Sequence, residues 1–192
     1  CPPGSADGLL DAFGSSAATN PIWDLRDSKT IVVVDSDLTF EHPVAAMQVK
    51  EAVNRGAHLI VIDPRDTELD LLASEKLTCK PGTEVAVLAG IMRILLDQGL
   101  YDREFVEQRC GQIEDLEVSL DPFALEAVEQ VTGVASAKLT QVAHLQANQR
   151  PSAFLFGAGL YRESSDLSVA VANLAMLTGS VGKRGAGVFP LV

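Results

Sequence analysis

The chain has 192 residues, 47% of them hydrophobic, and 15 Lys+Arg against 26 Asp+Glu give it a formal charge of −11. That length buries a full core and suits one domain. So acidic a surface repels phosphate backbones and anionic lipid, which excludes nucleic acid and membrane surfaces as partners. No apolar run reaches the roughly 20 residues of a bilayer span, so direct membrane insertion is excluded too. No basic segment followed by an apolar one marks a secretory leader. The sequence opens at Cys1 without an initiator Met and is read as an internal piece of a larger subunit. Cys1, Cys79 and Cys110 lie far apart with no C-x-x-C pair. That spacing rules out a self-contained zinc or iron–sulphur site and a disulfide framework, and it fits a reducing, cytoplasmic compartment.

In chain order, "TIVVV" (Thr30 to Val34) and "HLIVI" (His58 to Ile62) are continuous β-branched runs, as expected of strands buried on both faces of a parallel sheet. Between them "PVAAMQVKEAVNRG" predicts a helix with Pro43 at its first position and Gly56 as its stop, completing a βαβ unit. "EKLTC" (Glu75 to Cys79) is a short third strand before the turn "KPGTE". The next helix lines up Val85, Leu88, Ala89, Met92, Leu95 and Leu96 and ends at Gly99. Asp102 caps a short helix through Val106, and Ser136 is the expected N-cap of "SAKLTQVAHLQAN". "SAFLF" (Ser152 to Phe156) is a last strand, followed by the apolar helix "DLSVAVANLAMLTG" and a glycine-rich tail. The alternation predicts a three-layer α/β fold, a mainly parallel sheet with helices on both faces. With 5% aromatic residues, the core is aliphatic.

Ligands of doubly wound sheets bind beyond the carboxyl ends of the strands. Four loops fall there: "DSDLTFEHP", "DPRDT", "CKPGTE" and "GAGLYRESSD". Asp63 directly follows "LIVI", where a carboxylate accepts from ribose hydroxyls or a guanine edge; Arg65 either reaches a phosphate or locks Asp63. Gly82 lets backbone approach a ligand, and Thr83 and Glu84 open a helix whose amides favour an anion. Asp35 and Asp37 admit a different reading, the Mg²⁺-binding acid pair of a phospho-accepting receiver with Asp63 as acceptor. The spacing is too short for that, and no Lys follows a late apolar run. His42, beside Pro43, suits a contact with the helix N-terminus, whereas His58 and His144 have structural roles.

The order "HPVAAMQVKEAVNRGAHLIVIDPRDTE", "KPGTEVAVLAGIMRILLDQGLYDREFVEQRC" and "NLAMLTGSVGKRGAGVFPL" resembles the molybdopterin oxidoreductase superfamily, and within it the α subunits of NAD-linked formate dehydrogenases. The resemblance covers nearly the whole chain and implies that residues 1–192 are one α/β domain of the formate dehydrogenase/DMSO reductase type. In that family two molybdopterin guanine dinucleotides and a Mo or W ion lie between domains, and the iron–sulphur clusters lie outside this region. The implied partners are other domains of the same subunit and electron-transfer subunits. By position, the implied cofactor contacts are Asp35, Asp37, Asp63, Arg65, Gly82, Thr83 and Glu84, and Cys1 takes the place of the metal-ligating Cys or selenocysteine.

The departures from the family pattern concern charge and catalysis. Asp35-Ser36-Asp37 stands where the family has Gly-x-Asn, Pro2 where formate dehydrogenases have a His, Val169 where they have an Arg, and Glu84 where an Asp is usual. Arg162 is the nearest alternative to that Arg. Two readings follow. The first is a domain of a bis-pterin formate-dehydrogenase-like oxidoreductase holding a guanosine arm. The second is the corresponding cofactor-free domain of the large iron–sulphur subunit of NADH:quinone oxidoreductase, an electron-transfer scaffold.

Overall fold

A computed structural model describes residues 7–111, 113–157 and 166–191. Five strands, β1 (Thr30–Val34), β2 (His58–Ile62), β3 (Glu75–Leu77), β4 (Ser152–Phe156) and β5 (Gly187–Pro190), form one sheet in the order β3-β2-β1-β4-β5. Every pairing is parallel, with Val32 of β1 opposite Ile60 of β2 and Phe154 of β4. The helices are α1 (Asp7–Phe13), α2 (Leu38–Glu41), α3 (Pro43–Asn54), α4 (Glu84–Asp97), α5 (Arg103–Arg109), α6 (Ile113–Ser119), α7 (Leu125–Thr132), α8 (Ser136–Asn148) and α9 (Asp166–Leu177).

Alternating side chains of the strands feed two separate cores. Ile31, Val33, Leu59, Val61, Ala153 and Leu155 meet Ala45, Ala46, Val49 and Ala52 of α3, together with Leu25 and Leu69 from two 3-10 helices (Ile22–Asp27 and Glu68–Leu72). Val32, Val34, Ile60, Ile62, Phe154 and Phe156 meet α4, α8 and α9 on the opposite face. Each fully buried aliphatic side chain contributes about 1.5–3 kcal/mol, so a central strand buried at every position is strongly held. The three-layer arrangement is the expected one. The crossovers share one hand: those leaving β1 and β2 toward β3 use the α3 face, and those moving in the opposite direction to β4 and β5 use the other.

Pro43 begins α3, and Gly56 follows its C-cap at φ 95°. Asp102 caps α5, its Oδ1 accepting from the Phe105 N–H at 3.1 Å, but that helix continues to Arg109 rather than stopping at Val106. Three further expectations are corrected. Ser136 is the first residue of α8, not its cap; its N–H and Oγ both donate to the Glu129 carboxylate of α7, at 3.0 and 2.6 Å. The third strand stops at Leu77, because it pairs only with Ile60 to Ile62 and β2 ends there. The glycine-rich tail contains β5, an edge strand secured by Thr19, whose Oγ1 accepts from the Val188 N–H at 2.9 Å. At the start of the described chain α1 docks on α9, with the Gly8 N–H donating to Ser168 Oγ at 3.1 Å.

Candidate functional site

The strand order reverses between β1 and β4, and the carboxyl ends of β2, β1 and β4 lie side by side there. The Asp35 N–H donates to Ile62 O and the Gly157 N–H to Val34 O, each at 3.0 Å, so the three exits are tied together. Asp35 adopts φ 48°, the one positive φ of a non-glycine among the described residues, a conformation that Asp tolerates better than most residues. Its carbonyl oxygen lies so close to Gly157 that a Cβ there would sit 2.2 Å away. Only glycine fits beside β1 at that point.

Asp63, fully buried at the end of β2, is bound by the residue two places on. It accepts the Arg65 backbone N–H at 2.8 Å and the guanidinium Nε and Nη2 at 2.9 Å each. Arg65 therefore locks Asp63, and Nη2 lies a further 3.6 Å from Asp35 Oδ1. Lys76 of β3 donates to the Arg65 carbonyl at 2.6 Å and pins the loop. Glu84, buried at the first turn of α4, accepts the Gly82 N–H at 3.0 Å. Gly82 makes that turn at φ 79°, with open space where a side chain would stand. Thr83 occupies the N-cap position of α4, but its hydroxyl donates to Lys80 O at 2.7 Å instead of capping. Ser36 Oγ donates to Glu41 Oε2 at 3.0 Å.

Burial raises the Asp35 carboxyl to about 6, with repulsion from Glu84 and Asp63 adding to it and Arg65 opposing. The hydrogen bond to Asp63 is the largest cause that keeps Arg65 firmly protonated. Burial, then the Glu84 charge, pushes the Cys79 thiol up to about 12, so it stays neutral.

Of the residues expected from sequence, the structure brings Asp35, Asp63, Arg65, Gly82 and Glu84 to one crevice. Asp37 stands at the start of α2 with no side-chain capping bond, and Thr83 faces Lys80. Cys1 and Pro2 lie outside the described residues, as do Arg162 and most of the "GAGLYRESSD" loop. His42 precedes α3 without capping it through its side chain, His58 Nδ1 is 3.4 Å from Ser74 Oγ, and His144 is exposed on α8. Sequence reasoning missed Gly157 and Glu41. A glycine directly ending "SAFLF" was the available signal for the first; nothing local marked the second. Among the described residues, no group of three or more His, Cys, Asp or Glu is arranged to hold a metal ion, and no helix is long and apolar enough to cross a membrane.

A parallel sheet with this strand order and a polar crevice at the reversal point defines a doubly wound α/β protein of the kind that takes ligands at its strand ends. The model of the molybdopterin oxidoreductase family matches residues 3–192, and the chain belongs to that family. It is 36% identical over 186 residues to F420-dependent formate dehydrogenase 1 subunit alpha of Methanococcus maripaludis, covering 96% of this chain and 28% of that one. With formate dehydrogenase H of Escherichia coli the identity is 31% over 189 residues, covering 97% of this chain and 26% of the relative. Acetylene hydratase from Pelobacter acetylenicus superposes with a TM-score of 0.81 at 25% identity, over 96% of this chain and 25% of that one. The chain thus spans about a quarter of the length of these relatives.

Family membership implies a molybdopterin cofactor. At this place Gly157 keeps the β1 and β4 exits close, and nothing lies within 4 Å of where a Gly82 side chain would stand. Among the described residues the charge there is mostly negative, the carboxylates of Asp35, Glu41, Asp63 and Glu84 acting beside one guanidinium, Arg65.

Proposed function

We propose that this chain is one α/β domain of a larger Mo- or W-containing bis-molybdopterin guanine dinucleotide oxidoreductase of the formate dehydrogenase type, and that its strand-end crevice holds a guanosine arm of the cofactor. The observation that carries this reading is the convergence of Asp35, the locked Asp63–Arg65 pair and the Gly82–Glu84 turn at the reversal point of the sheet. The cofactor supplies the redox chemistry. The chain's residues would hold it: Asp35 and Asp37 of the β1 loop, Asp63 held rigid by Arg65, and Gly82, Thr83 and Glu84 at the start of α4 would form its contacts. Cys1 is the metal ligand in this reading. The cysteine usage supports a cytoplasmic setting, and the partners are other domains of the same subunit and electron-transfer subunits that carry the iron–sulphur clusters.

The acid-rich β1 loop favours a second reading, the cofactor-free homologous domain of the large iron–sulphur subunit of NADH:quinone oxidoreductase. Metal and nucleotide analysis of the full-length protein, purified under mild conditions, separates the two. Stoichiometric Mo or W with releasable guanine nucleotide is the expected result. Complete absence of both from an active complex would instead make the domain an electron-transfer scaffold.

A further inference from the structure

The two faces of the sheet are covered to different depths. On one, α4, α8 and α9 lie over the strands, and a further set of helices packs on these, α1 and α5 on α9 and α7 on α4. On the other, α3 and the 3-10 helices Ile22–Asp27 and Glu68–Leu72 form a single tier among the described residues, with α2 at its end. The tier is continuous: α3 packs against the first 3-10 helix, and Lys50 of α3 pairs with Glu68 of the second at 2.7 Å.

That single tier turns large apolar side chains outward. Phe40 is 86% and Leu71 87% exposed, Trp23, Val44 and Met47 are each more than half exposed, and Leu72 stands beside Leu71. Val44 and Met47, three positions apart, share the outer side of α3, while Ala45, Ala46 and Val49 fill its inner side. The first turns of this helix are thus apolar on both sides, the pattern of a helix held between two layers. Beside them lies a groove of about 380 Å³, lined in part by Ile22, Pro43, Val44 and Leu191. Charges on the same tier are matched in place, Lys50 with Glu68, Arg55 with Glu51, and Lys76 with Asp70 at 3.1 Å. Single exposed apolar residues are ordinary, but six on adjoining elements of one tier mark an interaction surface.

We propose that the α3 tier is the face on which another domain of the same parent subunit docks, supplying an uncharged, apolar outer layer that buries Phe40, Met47 and Leu71. This rests on the larger-subunit reading above and adds to it which face is covered and by what chemistry. The occupant follows from size: the chain spans 28% and 26% of two formate dehydrogenase relatives, so the greater part of such a subunit lies outside it. The opposite face already carries its second set of helices and the strand-end crevice is polar, which leaves the α3 tier as the apolar surface for that remainder.

Cysteine mapping tests this. Met47→Cys and Leu71→Cys are each made in the 192-residue chain and in the full-length parent, and maleimide labelling of the introduced thiol is followed by peptide mass spectrometry. Both positions should label rapidly in the chain and at least about tenfold more slowly in the parent, with the full rate restored by urea. Equal rates in the two proteins overturn the proposal. Slow labelling already in the 192-residue chain overturns it too, and a dimer in sedimentation would then assign the face to a second copy. Leu71→Asp gives an independent readout. It should leave the Tm of the chain unchanged, because the side chain is exposed there, and lower the Tm of the parent by several degrees. An unchanged parent Tm counts against docking as well. If the polypeptide that carries this sequence in its host proves no longer than 192 residues, the larger-subunit reading itself fails and the docking falls with it; a longer parent with freely labelled positions sinks the docking alone.

Discussion

The two ends of the same strands are built on opposite principles. At the amino ends, buried neutral polar groups are turned inward and the charged ones are paired with opposite charges, Arg184 Nε donating to Asp27 Oδ2 at 2.7 Å and Arg150 lying 3.5 Å from Asp102. The Thr30 hydroxyl donates to Gln149 O at 2.8 Å, the Lys29 N–H to Pro151 O at 2.9 Å and the His58 N–H to Lys29 O at 2.8 Å, while the buried hydroxyls of Ser28 and Ser152 make no hydrogen bond. At the carboxyl ends, a few residues along the same ladders, several carboxylates surround one guanidinium among the described residues, and a non-glycine residue takes a positive φ. One sheet supports both, so the difference does not come from backbone geometry. A non-glycine residue at positive φ among like charges is the arrangement often found at binding sites, which agrees with the reading proposed for this end.

The largest test of this contrast is Asp63→Ala. Arg65 would lose its three contacts to the Asp63 carboxylate, and the domain should lose about 3 kcal/mol in urea unfolding, somewhat tempered because the guanidinium can turn to water. The same variant should lower the Asp35 midpoint, since one repelling charge is gone and Arg65 is freed toward it. A loss below about 1 kcal/mol would mean the Asp63–Arg65 pair is a surface decoration.

Next in size is Asp35→Asn, with the opposite sign. The folded-state carboxyl is raised from 3.8 to about 6, so the protonated form suits the fold. Its contribution is fully present below pH 3.8 and is lost as the pH climbs through 6. Replacing it by a neutral amide should therefore change little near pH 4 and stabilise the chain by about 2 kcal/mol at pH 8. Destabilisation at pH 8 would erase the distinction between the two ends. The smallest effect belongs to the amino end: Thr30→Val keeps shape and forfeits one hydrogen bond to Gln149 O, which should cost about 1 kcal/mol with no dependence on pH between 5 and 8.

Much of this molecule is legible along the chain. The continuous β-branched runs specify strands buried on both sides, and Pro43 and Gly56 bound the first crossover helix, because propensity and periodicity act over neighbouring residues. Asp63, Arg65, Gly82 and Glu84 are singled out by their position after strands, and the structure places them near one another beyond the strand ends. Their partners were harder to see. Whether Arg65 would take a phosphate or hold Asp63 depends on a guanidinium torsion that no local pattern encodes. Ser136 reads as a cap, yet Glu129, in the preceding helix, supplies the acceptor. The edge strand β5 has only Val188 and Phe189 buried as an apolar pair among glycines, too little for a period to register.

The sequence by itself determined the α/β class, the positions of the strand-end loops and the excess of negative charge in the first of them, since each is a property of residues adjacent in the chain. Only the tertiary structure decided that β4 lies beside β1 and not beyond β3. That choice sets Gly157 against Asp35 and gathers the carboxylates of α2, α4 and the β2 loop around one guanidinium. The physical reason is range: helix and strand preferences are set within a few residues, whereas the proton affinity of Asp35 is set by burial and by charges up to about fifty positions away in sequence, brought within ångströms by the order in which the strands pack.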